Sequence, residues 1–194
     1  MHNKIRVFLV ENEYDFAFLV KDEIIRDERL EYVGHAPNQL SGIEAARRLK
    51  PDIVVVDLHL VGSYEDGIEA AKDIRMKTEA KVMFLTGYEQ RDIMYEACSK
   101  TFASGYVFKS QINHIADSIY DAATYDTPLK LAFQKHVRDG LTPAQLFVLD
   151  SLMAGNGEAL GYSSAKTIAN HKTRIFRKLG LKNEKELLHV FKNW

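Results

Sequence analysis

The strongest constraint on this chain is the run Ile53-Val54-Val55-Val56, which ends abruptly in the carboxylate of Asp57. An unbroken β-branched apolar run after Lys50-Pro51-Asp52 fits a strand buried on both faces, the situation of a strand inside a parallel sheet. In open α/β sheets, ligands and chemistry gather at the carboxyl ends of the strands. Asp57 therefore stands where an acid has a chemical use. The plainer alternative is an Asp that caps the following turn or helix, and the residues at the other strand ends decide between the two.

Residues 5–10 read as a strand that stops at Glu11-Asn12-Glu13, a second acidic strand end. The spacing of Phe16, Leu19, Val20 and Ile24 predicts a helix over 14–27. A strand over 30–36, a turn at Pro37-Asn38 and a helix over 41–49 precede the opening strand. After Asp57, residues 58–67 read as a loop, and a helix follows through Met76 with Ile68, Ala71 and Ile74 on one side. A fourth strand over 81–85 ends in Thr86-Gly87. A helix over 90–99, a fifth strand over 105–108 ending in Lys109-Ser110, and a helix over 111–125 complete the set. This alternation predicts βαβ units with right-handed crossovers and a five-stranded, parallel, doubly wound α/β sheet over residues 1–125.

Thr127-Pro128 marks a boundary, and Leu129, Phe133 and Val137 keep helical spacing to Asp139-Gly140, which makes 126–140 a helical linker. In 141–194, Thr142-Pro143 is a cap followed by proline at the first helical position. That helix runs to about Met153, glycines follow at 155, 157 and 161, and Ser164 or Ser163 caps a helix to Leu179, stopped by Gly180. A last helix covers 184–191. No strand signal follows Phe108, so the second domain is expected to be small and all-α.

Of 194 residues, 141–194 hold 8 Lys/Arg against 4 Asp/Glu, while 1–140 hold 18 against 23. An acidic front suits a cation and a basic tail suits a polyanion. The lone Cys98 excludes an internal disulfide and, with no apolar run of roughly 18 to 20 residues, points to a cytoplasmic protein with no membrane partner. The seven scattered histidines show no metal-ligand spacing.

The strand ends bring Glu11, Asn12, Asp57, Thr86 and Lys109 to one rim. A carboxylate can attack phosphorus when a divalent ion neutralises the incoming phosphoryl charge. Mg²⁺ would take oxygen ligands from Glu11, Asn12, Asp57 and the backbone carbonyl of His59. Lys109 would pair with the phosphoryl group or, before reaction, with Asp57, and Thr86 would donate its hydroxyl to a phosphoryl oxygen.

With acids after the first strand, Asp57 after the third, Thr86 after the fourth and Gly-Tyr-x-x-Lys at 105–109, residues 1–125 resemble a response-regulator receiver domain. The resemblance implies a flavodoxin-like fold, a phosphoacceptor Asp57 served by a sensor histidine kinase, and a switch in which Thr86 and Tyr106 reorient and one face changes partners. It implies a switch rather than an enzyme. Two departures stand out. Asn12 occupies a position where the family usually carries an acid, which implies weaker Mg²⁺ binding and slower phosphorylation unless Glu13 swings in, and Val61 replaces a usual proline.

Leu141-Thr142-Pro143, Thr167-Ile168, His171 and Arg177-Lys178-Leu179-Gly180-Leu181 resemble the LuxR/NarL-type helix-turn-helix. That resemblance implies double-stranded DNA as partner, with Ala169, Asn170 and Thr173 facing bases and Lys166, Thr167, Lys172, Arg174 and Lys178 on phosphates. Between Gly155 and Thr167 the segment is about four residues shorter than usual, on the order of one helical turn, and a usual lysine is replaced by Ala169. Leu187, Leu188, Val190 and Phe191 are read as apolar surface, and the family likeness implies a homodimer there or through the receiver. Two rivals remain. One is a phosphorylation-independent interaction scaffold, favoured by Asn12. The other is a haloacid-dehalogenase-like phosphohydrolase, which wants a second acid two residues after its nucleophile, where this chain has His59.

Overall fold

The computed structural model describes residues 3–155 and 164–192. The short segment expected at 156–162, and Ser163 as an alternative cap, lie outside them. The chain forms two compact units, Met1–Leu131 and Ala132–Trp194, and the division falls inside the helix Pro128–Asp139 that the sequence reading assigned to a linker.

The first unit is built from β1 (Ile5–Val10), α1 (Tyr14–Arg26), β2 (Leu30–Ala36), α2 (Gln39–Leu49), β3 (Ile53–Val56), α3 (Tyr64–Lys77), β4 (Lys81–Thr86), α4 (Arg91–Thr101), β5 (Gly105–Phe108), a 3-10 segment (Lys109–His114) and α5 (Ile115–Thr124). The sheet is five-stranded with the order β2-β1-β3-β4-β5, and every pairing is parallel. This is the doubly wound α/β sheet expected from the sequence. The strand order reverses between β1 and β3, so the switch point lies where Glu11 and Asp57 emerge. All of β3 is solvent-inaccessible, because parallel strands must be covered on both faces. Val7, Leu9, Val20, Ile24, Ile53, Val55, Met83, Leu85, Ile115 and Ile119 share one cluster of the core.

Several boundaries differ from the expectation. Helix α2 starts two residues earlier than read, because Asn38 Oδ1 accepts the Ser41 N–H at 3.1 Å and caps it. Helix α3 starts at Tyr64 rather than beyond Gly67. The Asp66 carboxylate accepts the N–H groups of Gly62 at 2.7 Å and Ser63 at 3.3 Å, satisfying donors at the helix start. Residues after β5 first form the 3-10 segment, whose Gln111 leaves helical geometry, before α5 begins. Leu19, read as inward, is exposed; Ala17 takes the buried place beside Val20 and Ile24.

The second unit, taken by itself, contains most of α6 (Pro128–Asp139), α7 (Pro143–Met153), α8 (Ala165–Leu179) and α9 (Glu184–Lys192), with no strand among the described residues. Thr142 caps α7, exchanging bonds with Gln145 at 3.1 and 3.3 Å. Ser164 caps α8, and Gly180 ends it in the left-handed region at φ 67°. Val148, Leu149, Leu152, Ile175, Leu187 and Val190 are buried. The expectation of an apolar outer face on α9 is thereby corrected: Leu187 and Val190 point into the core at helical spacing, and Leu188 is the exposed one.

Gly67 ties α3 to the end of β3. A Cβ added there would lie 2.3 Å from Leu58 Cα and 2.4 Å from the Asp57 carbonyl oxygen. The Gly67 N–H already donates to the Leu58 carbonyl at 3.0 Å. Gly67→Ala must push α3 off the backbone that carries Asp57, so urea unfolding should show a loss of about 1–3 kcal/mol.

Candidate functional site

Four strands supply the site, and their hydrogen-bonded register puts the ends at one level. Val10 pairs with Val56, Val56 with Phe84, and Thr86 with Phe108. The residues just beyond, Glu11, Asp57 and Lys109, meet there. Lys109 Nζ lies 2.8 Å from Asp57 Oδ2 and 2.8 Å from Glu11 Oε2. Glu11 and Asp57 are 0% and 2% exposed. Two buried carboxylates sharing one ammonium are tolerable only because they are paired, since unpaired buried charges are costly.

The surroundings set the protonation of these groups. Burial pushes the Glu11 carboxyl above its ordinary value, against the hydrogen bonds it accepts from Lys109 and from the Glu13 N–H, and the charge of Asp57 adds to the rise. Burial alone would lower the Lys109 ammonium, yet its hydrogen bonds to Asp57 and Glu11 outweigh that and hold it above the usual lysine value. Lys109 is therefore a fixed positive charge. The other Asp57 oxygen, Oδ1, accepts the His59 N–H at 3.2 Å, so the carboxylate is oriented from both sides.

Asn12 Oδ1 is buried and has no hydrogen-bond partner among the described residues. Buried acceptors are ordinarily satisfied, and an open oxygen next in the chain to Glu11 suits a hard divalent ion with oxygen ligands. The donor set of Glu11, Asn12 and Asp57 thus fits Mg²⁺ in kind. It is short of charge: no group of three or more Asp, Glu, His or Cys side chains among the described residues is arranged to hold a metal. Glu13 is mostly exposed and 3.9 Å from Lys109 Nζ.

Thr86 is fully buried, and its Oγ1 accepts the Tyr88 N–H at 3.3 Å. The Tyr106 hydroxyl donates to the Tyr88 carbonyl at 2.7 Å, and burial pushes its phenol well above the usual tyrosine range. The Tyr88 ring meets His59 at 6.4 Å and Tyr64 at 5.9 Å, both edge-on, and Tyr64 donates to Glu96 Oε2 at 3.3 Å. Tyr88, in the loop after β4, therefore joins the loop after β3, the start of α3 and β5, while Tyr64 ties α3 to α4. Sequence reasoning missed Tyr88, Tyr64 and Phe16, whose ring lies 4.4 Å from Lys109 Nζ. Phe16 carried only a core signal, because its partner is 93 residues away.

On α8, Lys166, Thr167, Ala169, Asn170, Thr173 and Arg174 are exposed. Thr167 is engaged with the Ser164 cap, and the Thr173 hydroxyl donates to the Ala169 carbonyl at 2.9 Å. Two of the expected phosphate lysines are held within the unit. Lys172 Nζ bonds Glu184 Oε2 at 2.7 Å, and Lys178 Nζ bonds the Gly140 carbonyl at 2.6 Å and Gln145 Oε1 at 3.2 Å. Arg177, not counted among the contacts from sequence, is exposed.

Residues 7–120 match the response regulator receiver domain family. The transcriptional regulatory protein PdtaR of Mycobacterium tuberculosis is 36% identical over 94 residues, 47% of this chain, and the match spans 43% of that relative's length. The transcriptional regulatory protein LiaR of Bacillus subtilis is 27% identical over 194 residues, covering 90% of each chain. Among solved structures, the RcsB response regulator of Salmonella typhimurium superposes with a TM-score of 0.57 at 21% identity over 98% of each chain. The match runs from β1 into α5 and encloses the paired carboxylates and their lysine: the chain belongs to the response regulator receiver domain family.

Proposed function

We propose that this protein is a transcriptional response regulator in which Asp57 accepts a phosphoryl group from a sensor histidine kinase and the helical unit binds double-stranded DNA. The observation that carries the reading is Lys109 Nζ held 2.8 Å from both Glu11 and Asp57 at the carboxyl ends of β1 and β3. In this reading an Asp57 carboxylate oxygen attacks phosphorus, the P–N bond of the kinase phosphohistidine breaks, and the departing imidazole takes up a proton. Mg²⁺, bound by Glu11, Asp57, the Asn12 amide oxygen and the His59 carbonyl, would supply charge neutralisation on the phosphoryl oxygens. Lys109 shares that task from Asp57 Oδ2, and Thr86 and Tyr106 read out the new group.

The output assignment is supported by the name transcriptional regulatory protein that LiaR carries over nine tenths of this chain, and by the exposed basic side chains of α8. Lys166, Arg174 and Arg177 are the free phosphate contacts, because Lys172 and Lys178 brace the fold. Ala169, Asn170 and Thr173 face bases. A homodimer belongs to the same reading. With Leu187 and Val190 inside the core, the receiver is its better seat.

Incubation with acetyl phosphate and Mg²⁺, read by intact mass, is expected to give a phosphoprotein lasting minutes or longer that Asp57→Asn abolishes. Rapid phosphate release would point to a hydrolase, and no reaction to an interaction scaffold.

Because Glu11 is raised by burial, its ionisation is disfavoured in the folded state. Stability therefore falls as pH rises from the ordinary glutamate value through the raised one. Glu11→Gln should raise the thermal midpoint at neutral pH, flatten the pH dependence in that window and weaken Mg²⁺ binding; intact Mg²⁺ affinity would remove Glu11 from the ligand set. For the output, duplex binding should weaken steeply with salt, and Lys166→Ala/Arg174→Ala should lower the log–log salt slope by about 2. Absence of duplex binding at low salt would sink the DNA assignment.

A further inference from the structure

The rim chemistry uses Lys109, but nothing in it requires the aromatic ring beneath that ammonium. Phe16 sits on the first turn of α1, half-buried and packed against the sheet core. Its ring centroid is 4.4 Å from Lys109 Nζ, well inside the roughly 6 Å within which an aromatic face attracts a cation. Lys109 is mostly buried, with 18% of its side chain exposed. In such a setting water screens the attraction less, and the interaction is stronger than at an exposed site.

We propose that Phe16 is a positioning residue that pins the Lys109 ammonium between Glu11 and Asp57, making it the resting counter-cation of a site whose third acid, Glu13, is mostly exposed and 3.9 Å away. A lysine stem is flexible, and two carboxylates at 2.8 Å leave the ammonium free to favour either one. The ring supplies a third, nonpolar point of attraction, and with it the ammonium is fixed in a tripod. This has two opposed consequences. A divalent ion taking Glu11 as ligand must compete with the lysine already there, and the two carboxylates with the uncharged Asn12 give that ion less charge to win with. Once phosphoryl transfer begins, the same fixed ammonium is already in place at Asp57 and need not be ordered during the reaction.

This rests on the Mg²⁺-assisted phosphorylation proposed above, and the test separates the two. If the native protein neither binds Mg²⁺ nor accepts phosphate from acetyl phosphate, that reading fails first. If it does both, Phe16→Leu keeps an apolar side chain against the core while removing the ring, and Phe16→Tyr keeps the ring. For Phe16→Leu the expected result is a Mg²⁺ dissociation constant lowered by about twofold or more, together with a phosphorylation rate at saturating Mg²⁺ lowered by about twofold to thirtyfold. The Lys109 methylene resonances should lose their upfield ring-current shift. Phe16→Tyr should retain native behaviour in all three. A variant that merely loosened the fold would bind Mg²⁺ more weakly and react more slowly together. That parallel loss, or a Phe16→Leu protein with native affinity and rate, overturns the proposal.

Discussion

Two carboxylates at the ends of adjacent buried strands repel one another, and the ammonium of Lys109 is what makes their proximity tolerable. Glu11 and Asp57 are almost completely withdrawn from water, where the solvation that would normally screen them is missing. The lysine reaches them from the far side of β4, at the end of β5. The site therefore exists only when β1, β3 and β5 are all in the sheet in register. A slip of one residue in any of them would turn its last side chain to the other face. The chemistry of the rim and the integrity of the sheet are the same constraint seen from two sides.

Much of this was legible in the sequence because it rests on local pattern. The β-branched run at 53–56 is a buried strand for reasons that a single window contains, and Asp57, Thr86 and Lys109 are found by asking where strands end. The boundaries that shifted were those set by side chains acting on the backbone. Asn38 drew α2 forward, and Asp66 started α3 at Tyr64 by accepting two loop amides. Apolar periodicity does not register such bonds. On α9, Leu187, Leu188, Val190 and Phe191 looked like an outward face because the sequence does not say on which side the neighbouring helices lie. In the structure, Leu187 and Val190 are turned inward.

The contacts missed entirely are those between residues remote in sequence. Phe16 looks like any inward aromatic on an amphipathic helix, and only the folded chain brings a lysine from 93 positions away onto its face. Lys172 and Lys178 show the converse case. A basic helix suggests a polyanion, yet both amines are taken by partners within the unit, Glu184 for one and Gly140 and Gln145 for the other. Charge counted along a chain overstates the charge that is available.

The bonding of Tyr88 has a mechanical consequence. Its amide is held by the Thr86 hydroxyl and its carbonyl by the Tyr106 hydroxyl, while its ring leans on His59 and Tyr64. A hydroxyl that turned toward a phosphoryl group on Asp57 would move away from that amide, and Tyr88 would lose the bond that holds the peptide group before its Cα, keeping only the one on the peptide group after it. The ring and the carbonyl both hang from the Cα between those two groups. A shift of that Cα would be felt in two directions at once, by His59 and Tyr64 through the ring and by Tyr106, on the edge strand of the sheet, through the carbonyl. Tyr88 is placed as a pivot with two arms, a ring toward His59 and Tyr64 and a carbonyl toward Tyr106.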